Sequence, residues 1–220
     1  MDLILFDLDN TLLAGDSDYE WAQFLIEKGV INRETHEARN LQFYNQYKAG
    51  TLDIVEFLDY QLKPLASHPQ ALLKQWRDDF VAQKIRPIIT RQSRELVHAA
   101  LAQTEHVVII TATNRFVTET IATELGVKYL IGTEPEEING EFTGRVSGTP
   151  SFREGKITRL NEWLTSRNLH WDSFSTTRFY SDSLNDLPLL EKVHEAIAVD
   201  PDDTLRAHAT QRGWPIISLR

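Results

Sequence analysis

The chain has 220 residues, of which 41% are hydrophobic and 25% charged, with only 10 Gly and 8 Pro. This composition is that of a globular protein and excludes collagen-like, coiled-coil and largely disordered chains. A net charge of −9 disfavours general binding to nucleic acids or anionic membranes, and the lack of cysteine excludes disulfides, thiolate zinc sites and cysteine nucleophiles.

The first residues do not resemble a targeting signal. Asp2, Asp7 and Asp9 surround the apolar run Leu3–Phe6, and no basic stretch precedes that run. The strongest apolar run further along, Val107–Ile110, is too short to span a bilayer. We therefore expect a cytoplasmic protein, a monomer or homodimer, with no membrane or nucleic-acid partner.

The first 86 residues predict one strand followed only by helices. Leu3–Phe6 reads as a buried strand that leads into the polar loop Asp7–Thr11. Ser17, with Glu20 three positions later, has the pattern of a capping box that begins a helix. Further helices are predicted over 32–49, 52–62 and 67–83, with Gly50 and Pro64 as stops and Ser67 as the cap before Pro69.

After Pro87 strands alternate with helices. Helical patterns cover 91–103, 115–125, 156–165 and 187–193, and strand patterns cover 107–111, 127–131, 178–180, 196–199 and 215–217. The pair Asn139-Gly140 predicts a tight hairpin over 138–142. The alternation predicts an α/β fold, with a Rossmann-like parallel sheet built from residues 1–16 and 87–220, a small β-hairpin and a helical insertion at 17–86.

Acidic residues follow two of the predicted strands. Asp7 and Asp9 follow the first strand, and Asp182 and Asp186 follow the strand at 178–180, while Thr111 ends the strand between them. A single aspartate in such a place is usually a turn residue or a helix cap, but several at one sheet edge repel each other unless a cation holds them. Hard oxygen ligands, without cysteine or paired histidines, favour magnesium over zinc.

The order of these residues resembles the four motifs of the haloacid dehalogenase superfamily. Asp7-Leu8-Asp9-Asn10-Thr11 matches its DxDxT signature, Thr111 its second motif, Lys156 after Gly155 its third, and Asp182-Ser183-Leu184-Asn185-Asp186 its fourth. The helical insertion and the Gly-Lys and Asn-Asp forms are most similar to the phosphoserine phosphatase-like branch, subfamily IB. The resemblance implies an α/β catalytic core with a helical cap, formed by residues 17–86, over the site.

The resemblance also implies a role for each motif in hydrolysis of a small phosphorylated metabolite. Asp7 would be the nucleophile that forms an aspartyl-phosphate, and Asp9 the general acid and then the base. Thr111 and Ala112 would bind the phosphoryl group, and Lys156 would neutralise its charge.

The metal site follows from the same motifs. Asp7, the backbone carbonyl of Asp9, and Asp182 would hold Mg²⁺. Asn185 and Asp186 would lie behind them, with Asp186 orienting a metal-bound water or Lys156.

Two positions bear on the substrate. Phosphoserine phosphatases place a Glu for the ammonium group nine residues after the nucleophile and an Arg for the carboxylate in the cap. Here these positions are Asp16 and, on an ungapped alignment, Gln61. A partner for a cation is kept and one for a carboxylate is lost, which favours an amino-alcohol phosphate such as histidinol phosphate. Phosphoserine remains an alternative if Arg39, Lys48 or Lys63 replaces the missing Arg.

Two other classes of function use similar residues. A phosphotransferase would move the aspartyl-phosphate to an acceptor other than water. A non-catalytic receiver-like module also carries a phosphorylatable Asp, but it does not need Asp9 or a large cap. Dehalogenation is disfavoured because it does not require this acidic set.

Overall fold

The computed structural model describes the backbone of residues 1–49 and 51–220, and their side chains except those of residues 47–49. The predicted helix stop at Gly50 therefore lies outside the described residues. A seven-stranded sheet has the order β4-β3-β2-β1-β5-β6-β7. The strands are β1 (Asp2–Phe6), β2 (Val107–Asn114), β3 (Tyr129–Ile138), β4 (Glu141–Ser147), β5 (Thr176–Ser181), β6 (Glu195–Val199) and β7 (Ile216–Ile217).

Helices follow or connect these strands. They are α1 (Ser17–Glu27), α2 (Arg33–Ala49), α3 (Ile54–Ala66), α4 (Gln70–Phe80), α5 (Arg91–Gln103), α6 (Arg115–Glu124), α7 (Glu154–Thr165), α8 (Leu187–Leu190) and α9 (Asp203–Arg212). A π-helical turn (Val81–Ile85) and a 3₁₀ turn (Arg86–Ile88) connect α4 to the residues before α5. Among the described residues, no helix combines the length and apolar character that a membrane crossing requires.

Both faces of the sheet are covered. Ile4 and Phe6 of β1 face an apolar cluster that includes residues of α1, α5 and α6, whereas Leu3 and Leu5 face a second cluster with residues of α7, α8 and α9. This arrangement explains why β1 is apolar at successive positions instead of alternating with polar residues. The strands pair in parallel except for the antiparallel hairpin β3–β4. The predicted α/β fold with a small β-hairpin is confirmed.

The sheet order brings the motif-bearing strand ends together. Phe6 of β1 pairs with Ile109 of β2 on one side and with Tyr180 of β5 on the other. Because the three strands are parallel neighbours, the residues that follow each of them emerge at the same edge. Ligands of open parallel sheets bind at this edge.

The segment between β1 and β2 contains helices and turns but no extended strand among its described residues. Trp21 of α1 packs edge-on against Phe80 of α4 and Phe116 of α6, so this segment contributes to the apolar cluster on one sheet face. The backbone of Gly144 in β4 lies so close to α3 that an added Cβ would be 3.1 Å from Cβ of Ala66. The division into a core and a cap at 17–86 stays a prediction.

The start of α1 differs from the predicted capping box. Asp16 is the N-cap, and its carboxylate accepts hydrogen bonds from the backbone N–H groups of Asp18 and Tyr19, both at 2.9 Å. Ser17 is already inside the helix, and its N–H donates to Asp9 instead. Aspartate and serine are about equally good N-caps, so residue type alone did not show whether Asp16 or Ser17 caps the helix.

The boundary between α3 and α4 was also predicted wrongly. α3 continues through Pro64 to Ala66, and Ser67 ends α3 instead of beginning α4, which starts at Gln70 after Pro69. Proline removes one backbone hydrogen bond from the last turn, but Leu62 and Leu65 on either side of it are fully buried. Burial of these side chains outweighs the lost bond.

Other differences concern length. β2 continues past Thr111 to Asn114, β3 extends to Ile138, and α8 is a single turn. The helix α9 was not predicted, although Asp202 caps its first turn and Gly213 ends it at φ 68°. Its apolar residues Leu205 and Ala209 are too few to give a clear helical period.

Candidate active site

Asp7 begins the loop after β1 and is held by β5, by Lys156 of α7 and by Thr11 of its own loop. Its N–H donates to the carbonyl of Tyr180 at 2.9 Å, which continues the β1–β5 pairing by one residue. One carboxylate oxygen, Oδ1, lies 2.7 Å from Nζ of Lys156. The other, Oδ2, accepts a hydrogen bond of 3.3 Å from Thr11. The side chain is 10% exposed, which leaves a limited opening to solvent.

Thr11 connects the ends of β1 and β5. Its hydroxyl lies 2.9 Å from Oδ1 of Asp182 as well as 3.3 Å from Asp7. Since a hydroxyl has one hydrogen, the two carboxylates share a single donor. Two anionic groups are thus brought close together with too few donors to neutralise them.

The loop from Asp7 to Leu13 turns back on itself to place Asp9. The N–H of Leu13 donates to the carbonyl of Leu8 at 3.0 Å, and Asn10 has a left-handed backbone at φ 55°. Asparagine is one of the few residues with a side chain that tolerates this conformation. The turn directs Asp9 toward β2.

Three hydrogen bonds fix the carboxylate of Asp9. Oδ1 accepts the N–H of Ser17 at 2.6 Å, while Oδ2 accepts the hydroxyls of Thr113 at 2.8 Å and Thr111 at 3.2 Å. Thr113 was missed in the sequence. Alternate residues of a strand share a face, so the spacing from Thr111 was the signal that could have identified it.

Lys156 is a buried cation in the first turn of α7. Its Nζ lies 2.7 Å from Asp7 and 2.7 Å from the carboxylate of Asp186, which also accepts a hydrogen bond of 2.7 Å from Ser181. A helix N-terminus disfavours a cation, and these two carboxylates offset that effect. Gly155 permits the tight turn before it, because an added Cβ would be 2.0 Å from the carbonyl oxygen of Pro150.

The buried carboxylates hold their protons more tightly than usual. Burial raises the pKa of Asp7 to about 7, with repulsion by Asp186 and Asp9 adding to the effect and Lys156 opposing it. Burial raises the pKa of Asp182 to about 8, and repulsion by Asp7 adds to that shift. Burial likewise raises the pKa of Asp9 to about 6, with a contribution from Asp16. Burial alone would lower the pKa of Lys156, but Asp186 and Asp7 raise it above its ordinary value, so this lysine stays charged.

The donor set fits magnesium. Among the described residues, no three His, Asp or Glu side chains form a ready-made metal cage. Mg²⁺ does not need one, because it usually binds through one or two carboxylates and keeps waters and substrate oxygens as its other ligands. Asp7 and Asp182, joined by Thr11, provide such a pair.

Asn185, predicted to lie behind the metal ligands, and Ala112, predicted to bind phosphate, each have a contact within the protein. Oδ1 of Asn185 accepts a hydrogen bond of 3.1 Å from Arg153, a residue with φ 51° just before α7, so Asn185 is tied to the loop that carries Lys156. The carbonyl of Ala112 accepts a hydrogen bond of 2.7 Å from Thr133, which orients this part of β2. The predicted contact of Ala112 with phosphate stays a prediction.

The two selectivity positions lie near one another through a residue that was not predicted. Nε2 of Gln61 donates to Oδ2 of Asp18 at 2.5 Å. The backbone N–H of Asp18 in turn donates to the carboxylate of the cap residue Asp16. Burial raises the pKa of Asp18 well above its ordinary value, with contributions from Asp16 and Asp9. A group of acidic side chains therefore extends from Asp9 toward α3.

The three cations considered as replacements for the missing Arg differ. Arg39 donates to Glu56, so its charge is already paired on the surface of the helical segment. Lys63 and Gln61 line a cavity of about 230 Å³ between α1, α2 and α3. The side chain of Lys48 lies outside the described residues.

Comparison with known proteins agrees with the motifs. The profile of the haloacid dehalogenase-like hydrolase family matches residues 4–191. A histidinol-phosphatase of Neisseria meningitidis serogroup C is 42% identical over 219 residues, covering 99% of each chain. The crystal structure of a protein of unknown function from Bordetella pertussis Tohama I has a TM-score of 0.94 at 44% identity, covering 100% of this chain and 99% of that one. A substrate-bound phosphoserine phosphatase shares the fold, with a TM-score of 0.66 at 19% identity, covering 99% of this chain and 92% of that one.

The fold, the order of the motifs and the matching profile define a hydrolase of the α/β class, with the candidate site at the carboxyl edge of the sheet. The chain belongs to the haloacid dehalogenase-like hydrolases. The predictions of a phosphoserine phosphatase-like member of this family and of a phosphatase are confirmed. A non-catalytic receiver-like module is therefore not the function.

Proposed function

We propose that this phosphatase is magnesium-dependent, works through an aspartyl-phosphate on Asp7, and acts on an amino-alcohol phosphate such as histidinol phosphate. One observation carries the proposal: Asp7 is paired with the buried Lys156, whereas Asp9, two residues further, is held by threonine hydroxyls and has no cation partner among the described side chains. The two carboxylates therefore have different surroundings, as two different roles require.

In the first step an oxygen of Asp7 forms a bond to phosphorus while the bond from phosphorus to the leaving alcohol breaks. Asp9 supplies the proton that the leaving oxygen needs, and its raised pKa of about 6 gives it a larger protonated fraction near neutral pH than an ordinary aspartate has. Lys156 balances the charge of Asp7 and of the phosphoryl group, and Thr111 and Ala112 bind phosphoryl oxygens.

In the second step a water molecule attacks the phosphorus, and Asp9 takes the proton from that water. The bond between Asp7 and phosphorus breaks, and inorganic phosphate leaves. Asp7, Asp182 and the carbonyl of Asp9 would hold Mg²⁺, which supplies positive charge to the phosphoryl oxygens. Lys156, held by Asp186, which in turn accepts a hydrogen bond from Ser181, stays in place through both steps.

The acidic group formed by Asp16 and Asp18 supports a substrate that carries an ammonium. Both residues are in the first turn of α1, whose start is hydrogen-bonded to Asp9 through Ser17. Burial is the main cause of the raised pKa of Asp18, and repulsion by Asp16 and Asp9 adds to it. An ammonium bound there would relieve that repulsion. The histidinol-phosphatase relative from Neisseria, at 42% identity over nearly the whole chain, supports the same substrate.

A panel of phosphate esters tests the proposal. We expect Mg²⁺-dependent release of phosphate, lost on chelation, with kcat/KM higher for histidinol phosphate than for phosphoserine or glycerol phosphate. A higher kcat/KM for phosphoserine would overturn the substrate assignment, and activity unaffected by chelation would overturn the metal. Phosphate release that falls when an alcohol is added, with formation of a new ester, would indicate the phosphotransferase. A cytoplasmic location and a monomeric or homodimeric state remain proposals.

A further inference from the structure

The loop that carries Asp7 and Asp9 is held from outside by one side chain. Nη2 of Arg220 donates to the carbonyl of Asn10 at 2.6 Å and to the carbonyl of Leu13 at 2.9 Å. These two carbonyls lie on either side of the turn that directs Asp9 toward β2. A single nitrogen therefore bridges the start and the end of this turn.

Arg220 is itself fixed by the loop after β6. A carboxylate oxygen of Asp200 accepts the N–H of Leu219 at 2.9 Å and lies 3.7 Å from Nη1 of Arg220. Leu219 is buried in the same apolar cluster as Phe6, which anchors the backbone next to Arg220. The guanidinium is thus placed by neighbours on both sides.

The same loop reaches the other acidic strand end. The N–H of Asp202 donates to the carbonyl of Asp182 at 3.0 Å, two residues after the contact of Asp200 with Leu219. The positions of Asp182 and of the turn at Asn10 are consequently connected through residues 200–202 and Arg220.

Arg220 lies beside the two stretches of chain that join the helical segment to the sheet, one near Leu13 and one near Ile89. Leu13, where the chain leaves the sheet, forms a bridge with Ile89, where the chain returns to it. The N–H of Ala14 donates a hydrogen bond of 2.7 Å to the carbonyl of Ile88. Gln92, three residues after Ile89, donates to the carbonyl of Arg220 at 3.1 Å. Arg220 therefore contacts Leu13 on the way out of the sheet and the first turn of α5, just after the chain returns to it.

We propose that Arg220 is a positioning residue that holds the turn at Asn10–Leu13 so that Asp9 faces the leaving oxygen of the substrate. It acts through the loop and does not touch the substrate. This inference rests on the proposed role of Asp9 as the general acid. A guanidinium suits the task because its planar fork can serve two carbonyls and a carboxylate together, whereas a lysine ammonium is a single point of attachment.

The test compares Arg220→Met and Arg220→Lys with the control Arg91→Met. Arg91 is an arginine of the same region whose side chain is 82% exposed and pairs with Glu95 one turn further along its own helix. Each variant is assayed with an alkyl phosphate, whose leaving group needs a proton, and with p-nitrophenyl phosphate, whose leaving group does not. Displacement of a catalytic group by about 1 Å can cost about 100-fold in rate.

We expect Arg220→Met to lower kcat on the alkyl ester by at least about 10-fold and on the phenolic ester by less than about 3-fold, because only the first reaction depends on an aligned proton donor. Arg220→Lys should lose less than Arg220→Met, and Arg91→Met should match the unmodified protein. Equal losses on both esters, or no loss, would overturn the proposal, since partial unfolding reduces both rates alike.

Amide hydrogen exchange separates this inference from the proposed function. In Arg220→Met the amides of Asn10 and Ala14, whose hydrogen bonds depend on the turn, should exchange faster than in Arg91→Met. Unchanged exchange would overturn the positioning role. If the unmodified protein releases no phosphate, the proposed function fails, and the exchange comparison still decides whether Arg220 holds the loop.

Discussion

Thr113 donates a hydrogen bond of 2.8 Å to the carboxylate of Asp9, so a residue near the end of β2 orients a side chain of the loop after β1. The backbone N–H of Thr113 also donates to the hydroxyl of Thr111, which contacts the same carboxylate oxygen. Hydrogen bonds to the charged form lower the pKa of Asp9 and oppose the burial that raises it to about 6.

Replacement of Thr113 by Val removes the hydrogen bond from its hydroxyl to the carboxylate of Asp9 while keeping the shape of the side chain. The charged carboxylate is then less stabilised, so the pKa of Asp9 rises. Because the proposed first step needs protonated Asp9, the basic limb of the profile of kcat/KM against pH should move to higher pH. Thr113→Ser, which keeps the hydroxyl, is the control and should leave the profile in place. A shift to lower pH would show that Asp9 is needed in its charged form.

Asp9→Asn should distinguish the leaving groups of two substrates. Loss of the general acid is expected to cost about 10²–10⁴-fold in kcat on an alkyl phosphate, and much less on p-nitrophenyl phosphate. Binding of Mg²⁺ should survive, since the carbonyl of residue 9 is unchanged, and calorimetric titration would measure it. Equal losses on the two esters would remove the acid role from Asp9.

The metal-free protein should become less stable as the pH rises. The pKa values of Asp7, about 7, and Asp182, about 8, exceed their ordinary value of 3.8, so the folded chain binds more protons than the unfolded chain between these limits. The free energy of unfolding therefore falls as the pH rises through that window. Mg²⁺ binds the deprotonated carboxylates and should raise the Tm more at about pH 8 than at about pH 5.5.

Thermal unfolding with and without Mg²⁺ at the two pH values measures this difference, and groups far from the site cancel in the comparison. Asp182→Asn is the control and should reduce the stabilisation by Mg²⁺ at the higher pH. A larger effect of Mg²⁺ at the lower pH would contradict the assignment of Asp7 and Asp182 as its ligands.

Asp16→Asn separates charge from helix capping. Asn is about as good an N-cap as Asp, so α1 should keep its start and the Tm should stay level. Loss of the charge should raise KM for histidinol phosphate by an amount worth about 1–3 kcal/mol, the range for a hydrogen bond to a charged group, and leave KM for glycerol phosphate unchanged. The same measurement on Asp18→Asn shows whether the ammonium is held by Asp16 or by Asp18. Equal changes in KM for both esters would show that Asp16 serves only as the N-cap of α1.

The sheet, the hairpin and the acidic edge could be predicted from the sequence because each depends on local pattern. Buried parallel strands such as β2 are continuous apolar runs, and Asn139 and Gly140 have the positive φ values, 54° and 83°, that the hairpin turn requires. Parallel order then places residues that follow neighbouring strands at one edge, which is how Asp7 and Asp182 could be assigned to the same site before the structure was known.

Contacts between distant segments could not be predicted in this way. The pattern Ser17…Glu20 is locally as good a capping signal as Asp16, and the hydrogen bond from the N–H of Ser17 to Asp9, which accompanies capping by Asp16, is a contact that the local pattern does not contain. The bond between Gln61 and Asp18 and the contact of Arg220 with Asn10 join residues 43 and 210 positions apart. Tertiary packing sets such pairs, and no spacing rule in the sequence encodes them.

The most direct measurement for the central claim is identification of the phosphorylated residue. The Asp9→Asn variant is mixed with Mg²⁺ and p-nitrophenyl phosphate, whose leaving group needs no proton, then quenched in acid, digested and mapped by mass spectrometry. The first step should proceed while loss of the base slows the second, so the intermediate should accumulate. The account predicts a phosphoryl adduct on Asp7, and no adduct and no phosphate release in Asp7→Asn. An adduct on another residue, or release of phosphate by Asp7→Asn at the unmodified rate, would contradict it.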